Sequence, residues 1–119
     1  MKRSAKAIKR ASDKRKKDAE FRQLLLERDG HCVVDPERYG GHGGALHVSH
    51  FFTKGQHQWL RWDPDDACIM CLRHHLFWWH REVAEAGAWL RKYLGVAKYE
   101  ALYRKAQQSP KLAETRRRT

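Results

Sequence analysis

The chain has 119 residues, enough for one compact domain with terminal extensions. Hydrophobic residues make up 41% of it and charged residues 33%, a globular composition with room for only a small core, and no apolar run approaches the length of a membrane span. The 25 Lys and Arg against 14 Asp and Glu give a formal net charge of +11 at pH 7, which favours phosphate polyanions as partners.

The number of cysteines indicates the redox state of the cellular compartment in which the protein works. Three cysteines, Cys32, Cys68 and Cys71, accompany eight histidines, and an odd count of this kind fits metal binding in a reducing compartment better than a disulfide framework. The N-terminal sequence MKRSAKAIKR lacks the apolar segment of a secretory signal. We therefore expect a cytoplasmic protein.

The first predicted element is a basic arm, residues 1–20, which is rich in helix formers and nearly free of large apolar side chains. The pattern predicts a helix that continues through Phe21 and Leu24-Leu25-Leu26 and stops at Asp29-Gly30. The arm is either a solvated tail or a phosphate-binding element, and the net charge favours the second. The arm residues expected to contact DNA are Lys9, Arg10, Lys14, Arg15, Lys16 and Lys17.

The middle of the chain is predicted to be turn-rich and then extended. Glycines surround His42, but the spacing matches no phosphate-binding loop, so we interpret them as a flexible connection. Residues 45–52 predict a strand that leads into a turn at Lys54-Gly55, and residues 59–62 predict a second short strand.

The C-terminal half is predicted to be helical. Asp63-Pro64-Asp65 resembles a helix start, and the segment 66–86 that follows is apolar on one side and rich in histidine. Residues 88–107 predict a last amphipathic helix, whose aromatic residues we assign to core packing. Residues 108–119 form a basic tail.

A zinc knuckle is the first candidate site. Cys71-Leu72-Arg73-His74 places two zinc-ligand types at the spacing of a tight turn, and Cys32 offers a ligand for the other half of the site. Asp35 follows Cys32 by three residues, so Cys32, Asp35, Cys71 and His74 form an allowed ligand set.

Two alternatives to this ligand set stay open. His31 and His42 compete with Asp35 for the fourth position. The spacing of Cys68 and Cys71 suggests a different pairing, and an isolated cysteine is commonly only a small buried hydrophobe.

A second candidate site consists of His50, Asp66 and His75, which follow one another in the order that a ββα-metal nuclease uses. Such an enzyme needs a base that activates water and a divalent cation that neutralises the phosphate. In this interpretation His50 is the base at the end of the first strand, while Asp66 and His75 bind the cation. Each residue also has an ordinary structural explanation.

Three segments together resemble a known family. They are residues 49–55 (SHFFTKG), residues 60–66 (LRWDPDD) and residues 71–75 (CLRHH). They are similar to the motifs of the phage lambda NinG (Rap) recombination-protein family, which run roughly G-H-[FY]-x-S-x-G, L-R-F-D-x-x-N and C-x-x-C-[NH]. The resemblance covers about residues 21–107.

The resemblance implies a register for both sites. Cys32 and Asp35 would match the family's first zinc pair, Cys71 and His74 the second, and Cys68 would fall outside the knuckle. His50 would be the base, Asp66 would stand at the usual Asn position and His75 would be the helix ligand. The residue before the base is Ser49, where many such nucleases carry a metal-binding Asp or His.

We therefore expect an α+β fold with a small ββα-metal (HNH) core in residues 21–107, a zinc knuckle and flanking helices. The expected activity is cleavage of DNA, with Mg²⁺ or Mn²⁺ as catalytic cation and with Lys54 and Arg61 as further phosphate contacts. The resemblance implies branched or recombination-intermediate DNA in a phage or prophage setting, and cutting two strands would favour a homodimer. The alternatives are a non-catalytic zinc DNA-binding accessory protein and a basic RNA-binding zinc protein.

Overall fold

The computed structural model describes residues 3–110, which form an α+β domain. A long helix, α1 (Ala5–Asp29), is followed by the strands β1 (Leu46–His50) and β2 (Ala67–Cys71), a π-helix (Arg73–Trp79), and the helices α2 (Val83–Leu94) and α3 (Val96–Gln107). Among these residues no helix combines the length and apolarity that a membrane crossing requires. Residues 1–2 of the predicted arm and 111–119 of the predicted tail lie outside the described part.

The bounds of α1 follow from its caps. The side chain of Ser4 accepts a hydrogen bond from the backbone N–H of Ala7, and Gly30 ends the helix at φ 73°, a left-handed conformation that glycine adopts without strain. The only buried side chains of α1 are Phe21 and Leu25, so its first four turns project beyond the core. The helix predicted across the arm and the leucine run is confirmed.

The sheet is a two-stranded antiparallel ladder, in which Val48 pairs with Ile69 and Ser49 pairs with Cys68. One face, which includes Ile69, packs against Phe21 and Leu25 of α1. The other face carries Cys68 and Met70 and packs against the large core of the C-terminal helices. The sheet therefore lies between α1 and the helices that follow it.

Two predicted elements in the middle of the chain are wrong. The strand expected over residues 59–62 is a short 3₁₀ turn, Gln58–Leu60, which buries Leu60 against α3. The predicted helix over residues 66–86 is interrupted at once, because β2 occupies its first part. All five residues of β2 are buried, and a strand covered on both faces loses the polar–apolar alternation by which strands are recognised.

The last helix is divided. Gly95, at φ 82°, separates α2 from α3 inside the predicted helix 88–107. Leu90 of α2 lies in the core beneath the sheet, while Leu102 of α3 packs on Leu60. The expected packing role is confirmed for Trp89, Leu90 and Leu102, which are buried, whereas Tyr93 and Tyr103 are 40% and 48% exposed.

Candidate metal centre and histidine cleft

Cys32, Cys71 and His74 are brought together into a cluster that could hold a metal ion. One ligand atom of each lies within 4.8 Å of the others, and all three residues are buried. His74 Nδ1 lies 3.4 Å from Cys32 Sγ and 3.3 Å from Cys71 Sγ. Cys32 follows α1, Cys71 ends β2 and His74 lies in the π-helix, so three separate elements meet here.

Hydrogen bonds orient this cluster. His74 Nε2 lies 2.6 Å from the carbonyl oxygen of Arg38, which can only accept, so Nε2 carries the proton and Nδ1 keeps its lone pair beside the thiols. The backbone N–H of Gly43 donates to Cys71 Sγ at 3.5 Å. Burial raises the pKa of the Cys32 thiol and lowers the pKa of His74. A bound cation would offset the cost of a buried thiolate.

Asp35 is not part of this cluster. Its carboxylate pairs with Arg38 at 3.2 Å and its side chain is 55% exposed. His31 donates from Nδ1 to the carbonyl of Cys32. His42 lies with its ring edge-on to that of His74, with centroids 5.2 Å apart, and donates from Nε2 to the carbonyl of Val34.

Cys68 also lies outside the cluster. It is fully buried in the large core, where burial raises its pKa well above the ordinary thiol value. Cys68 and Cys71 lie three residues apart on β2, but only Cys71 belongs to the group of ligand atoms that could hold an ion. The structure therefore favours the pairing of Cys71 with Cys32 over its pairing with Cys68.

His50 ends β1 with a defined tautomer. Its Nε2 donates to the carbonyl oxygen of Arg61 at 2.8 Å, which leaves Nδ1 as the acceptor. Its ring stacks on Phe21 of α1, with centroids 5.9 Å apart. Burial lowers the pKa of His50, and the positive charge of Lys54 lowers it further. The imidazole is therefore neutral at physiological pH and can accept a proton.

His75 is held by β1. Its Nδ1 shares a short hydrogen bond, 2.5 Å, with the hydroxyl of the fully buried Ser49. Burial lowers the pKa of His75 to about 4, with a smaller contribution from the neighbouring histidines. Neutral imidazole is the form that binds metals.

His50 and His75 line one cleft of about 510 Å³, together with two further histidines, His47 and His80. The ring of His75 stacks on that of His47, with centroids 5.3 Å apart, and meets that of His80 at 4.7 Å. Neither His47 nor His80 belongs to the sites predicted from the sequence. His80 lies five residues after His75, a spacing that an ordinary α-helix does not bring to one face.

Asp66 does not line this cleft. It is fully buried, and its Oδ1 accepts the backbone N–H of Phe52 at 2.9 Å, while Oδ2 has no hydrogen-bond partner among the described residues. Burial raises the pKa of Asp66 to about 8, against the effect of the Phe52 hydrogen bond. The structure therefore does not bring the predicted cation pair, Asp66 and His75, to one cavity. Asp66 instead fastens the loop after β1.

Some of the side chains predicted to contact phosphate are exposed, and one is already ion-paired. Lys54 is exposed and lines the cleft, as does Arg22, which no sequence motif singled out. Arg61 is engaged by Asp18, which accepts from its Nη2 at 2.6 Å and from its Nε at 2.9 Å. This pair holds the pKa of Asp18 at about 2. All of the predicted arm contacts are exposed along α1: Lys9, Arg10, Lys14, Arg15, Lys16 and Lys17.

Comparisons of this chain with protein-family models, with curated proteins and with solved structures found no match.

Proposed function

We propose that this chain is a metal-dependent DNA endonuclease of the ββα-metal type. The observation that carries the proposal is the geometry of His50, a neutral imidazole whose Nε2–H is held by the Arg61 carbonyl while Nδ1 stays free to accept a proton. Lys54 and Arg22 line the same cleft, and α1 adds a row of exposed cations nearby. A general base beside cationic side chains that can bind phosphate supports phosphodiester hydrolysis as the reaction.

The order of elements supports the finer fold assignment. Two antiparallel strands are followed directly by a helical segment, with His50 at the end of the first strand and His75 in the helix. This order agrees with the resemblance to the NinG family. Together with that resemblance it leads us to propose branched or recombination-intermediate DNA as substrate, a phage or prophage origin in the bacterial cytoplasm, and a homodimer that cuts two strands.

We propose zinc as the ion of the Cys32, Cys71 and His74 cluster. Two thiolates and an imidazole are a zinc donor set, and zinc in structural sites takes four ligands. His42 is the neighbour best placed to supply the fourth, because its ring contacts His74 and its Nε2 proton leaves Nδ1 with a lone pair. Zinc here would link the loop after α1 to β2 and the π-helix.

His50 performs the proton transfer in this proposal. Its Nδ1 accepts a proton from the attacking water, and the Arg61 carbonyl stabilises the resulting imidazolium through the Nε2–H bond. Lys54 and Arg22 position the phosphate through its oxygens. A divalent cation supplies charge neutralisation at the phosphate when bound. The cleft does not fit Mg²⁺ well, because its donors are imidazoles and its Asp18 carboxylate is occupied by Arg61 and Trp62.

A second candidate function is a non-catalytic zinc module that binds DNA in recombination. The position of Asp66 favours it, since this carboxylate is buried against Phe52 and does not reach the cleft. This module keeps the basic helix and the zinc cluster but lacks hydrolysis.

The test is incubation of the zinc-loaded protein with plasmid DNA, a four-way junction and RNA, with Mg²⁺, Mn²⁺ or Zn²⁺ added. We expect the DNA substrates to be cut, the junction preferentially, and His50→Ala to be inactive while still binding DNA. Protein that binds DNA but cuts no substrate with any cation would identify the non-catalytic module. Cleavage of RNA alone would contradict both functions.

A further inference from the structure

Five aromatic side chains form a continuous strip on the surface of the domain. They are, in spatial order, Tyr99 and Tyr103 of α3 and then Phe52, His57 and Trp59 of the segment between the two strands. The centroids of neighbouring rings in this order lie 5.4–6.5 Å apart. Tyr103 is 48% exposed, and the other four side chains are partly exposed. We call these five residues the aromatic strip.

Packing holds the rings of the aromatic strip in place. Phe52 and Trp59 pack against the core cluster that contains Leu60 and Leu102. The indole N–H of Trp59 donates to the backbone carbonyl of Lys105 at 2.8 Å. Because these contacts fix the rings before a ligand arrives, binding to their exposed parts costs little conformational entropy.

The charges at the α3 end of the aromatic strip favour an anionic ligand. Arg91 and Arg104 line a groove of about 330 Å³ together with Tyr99 and Tyr103. The guanidinium of Arg91 lies over the ring of Tyr99, 5.4 Å from its centroid. Among the described residues Glu100 is the only acid that lines this groove, so its overall charge is positive.

The acids near the other end of the aromatic strip are paired. Asp63 and Asp65 accept from the ammonium group of Lys105 at 3.1 Å and 3.2 Å, which offsets part of their negative charge. Lys54 adds an exposed positive charge two residues after Phe52. Both ends of the strip are therefore compatible with a polyanion.

A single loop joins the aromatic strip to the cleft of His50. Thr53 and Lys54 line the cleft, whereas Phe52 and His57 of the same loop belong to the strip. The backbone N–H of His57 donates to the carbonyl of Thr53 at 2.8 Å, so the loop is closed by its own hydrogen bonds. A nucleic-acid strand that leaves the cleft across this loop would meet the strip next.

We propose that the aromatic strip binds unpaired nucleotides of the DNA substrate, with bases stacked on its rings and phosphates contacted by Arg91 and Arg104. Aromatic rings beside cations hold single strands of any sequence, because every base has a π face. A duplex keeps its bases inside the helix, where these rings do not reach them. This inference rests on the proposed function for its catalytic meaning, since the strip would hold the single strand of a branched substrate beside His50.

The strip is tested first on the wild-type, zinc-loaded full chain. Fluorescence anisotropy compares a labelled oligothymidine with an abasic oligomer of the same length, which carries the same phosphates but no bases. We expect oligothymidine to bind at least about 5-fold more tightly at the same salt concentration, the gain from one stacked base. Equal binding of the two oligomers would overturn the strip. Oligouridine bound in preference to oligothymidine would overturn its assignment to DNA.

Variants locate the stacking. Tyr103→Ala should weaken oligothymidine binding by at least about 5-fold and leave abasic binding unchanged, while Tyr103→Phe should keep the preference. Phe77→Ala is the matched control, because Phe77 is 41% exposed and has Arg81 over its ring but lies outside the strip. A folded Tyr103→Ala protein that keeps the wild-type preference would overturn the strip.

The strip and the proposed function can fail separately. A preference for oligothymidine over the abasic oligomer, without cleavage of any DNA, would refute the proposed function and leave the strip intact. Cleavage of the four-way junction by protein that binds both oligomers equally would refute the strip and leave the function intact. Photocrosslinking of iododeoxyuridine oligomers gives a direct readout, since adducts should form on Tyr103 or Trp59 and not on Phe77.

Discussion

The carboxylate of Asp66 accepts the backbone N–H of Phe52, 2.9 Å away, while the backbone N–H of Phe51 bonds to the carbonyl of the same Asp66. These two bonds tie the residues directly after His50 to the start of β2. Asp66 therefore fixes the backbone directly after His50 and does not line the cleft that contains His50. It stands where the motif of the NinG family, which the sequence resembles, has Asn, whose side-chain oxygen can accept the same bond.

Asp66→Asn should remove a pH dependence of stability. The pKa of Asp66 is raised to about 8 in the folded chain from an ordinary value of 3.8. Its contribution to the free energy of unfolding is therefore complete below about pH 4 and is lost as pH rises towards about 8. Urea unfolding should show the variant more stable than wild type at pH 8, with the difference shrinking at pH 5. DNA cleavage should be retained or improved.

Asp65→Asn is the control for that experiment, because Asp65 is the exposed neighbour and pairs with Lys105 at the surface. Its stability difference from wild type should change little with pH. A difference between Asp66→Asn and wild type that is the same at pH 5 and pH 8 would show that Asp66 does not titrate as described.

We expect substitutions of Cys71 and Cys68, both buried, to have opposite effects on zinc binding. Cys71→Ser removes a cluster atom and should reduce bound zinc at the cysteine site and lower the midpoint of thermal unfolding, or prevent folding altogether. Cys68→Ala lies in the core outside the cluster and should keep the zinc with only a modest loss of stability. Elemental analysis and circular dichroism measure both. Loss of this zinc in a folded Cys68→Ala protein would contradict the assignment.

Removing the arm should weaken DNA binding to the same extent for any DNA sequence. Deletion of residues 1–17 leaves Asp18 and the buried Phe21 in place but removes a row of cations, all of which are exposed within residues 3–17. Affinity should fall, and the dependence of log K on log salt should flatten in proportion to the number of phosphates that the arm neutralises. Lys92→Gln, an exposed cation on α2, is the control. An unchanged salt slope would identify the arm as a solvated extension.

The rate of cleavage should depend on pH through His50. Its pKa is lowered from 6.5 by burial and by Lys54, so the neutral base persists below pH 6.5 and the acid limb of kcat/KM should lie there. Lys54→Gln removes one positive charge and should move this limb upward. His50→Ala should reduce cleavage by about 10²–10⁴-fold with DNA affinity nearly unchanged. An acid limb at or above pH 6.5 in wild type would argue against His50 as the base.

The sequence predicted the end of α1 and the cysteine cluster, but it did not predict β2 or the contact between His75 and His80. The stop of α1 at Gly30 follows from residue type and spacing. The meeting of Cys32 with Cys71 is a long-range contact, expected because a single Cys–His pair needs further ligands to bind zinc. β2 was missed because burial on both faces removes its alternation. The pairing of His75 with His80 was missed because a change of helical pitch leaves no mark in a residue pattern.

The burial of Asp66 could not be predicted either. A carboxylate after Asp63-Pro64-Asp65 is ordinarily an exposed helix-start acid, and only the packing of β2 between two layers encloses it. The position of Asp35 could not be predicted from its spacing to Cys32 either, because its carboxylate forms an ion pair with Arg38.

The part of α1 that projects from the core has a fixed length. Residues 5–20 bury no side chain, and at about 1.5 Å per residue they extend about 24 Å from the point where Phe21 meets the ring of His50. That length matches about seven base pairs of duplex at about 3.4 Å each. In the proposed nuclease, each subunit would contact a duplex lying along this helix on one side of the cut only. The DNA that one subunit protects would therefore extend to one side of the scissile bond.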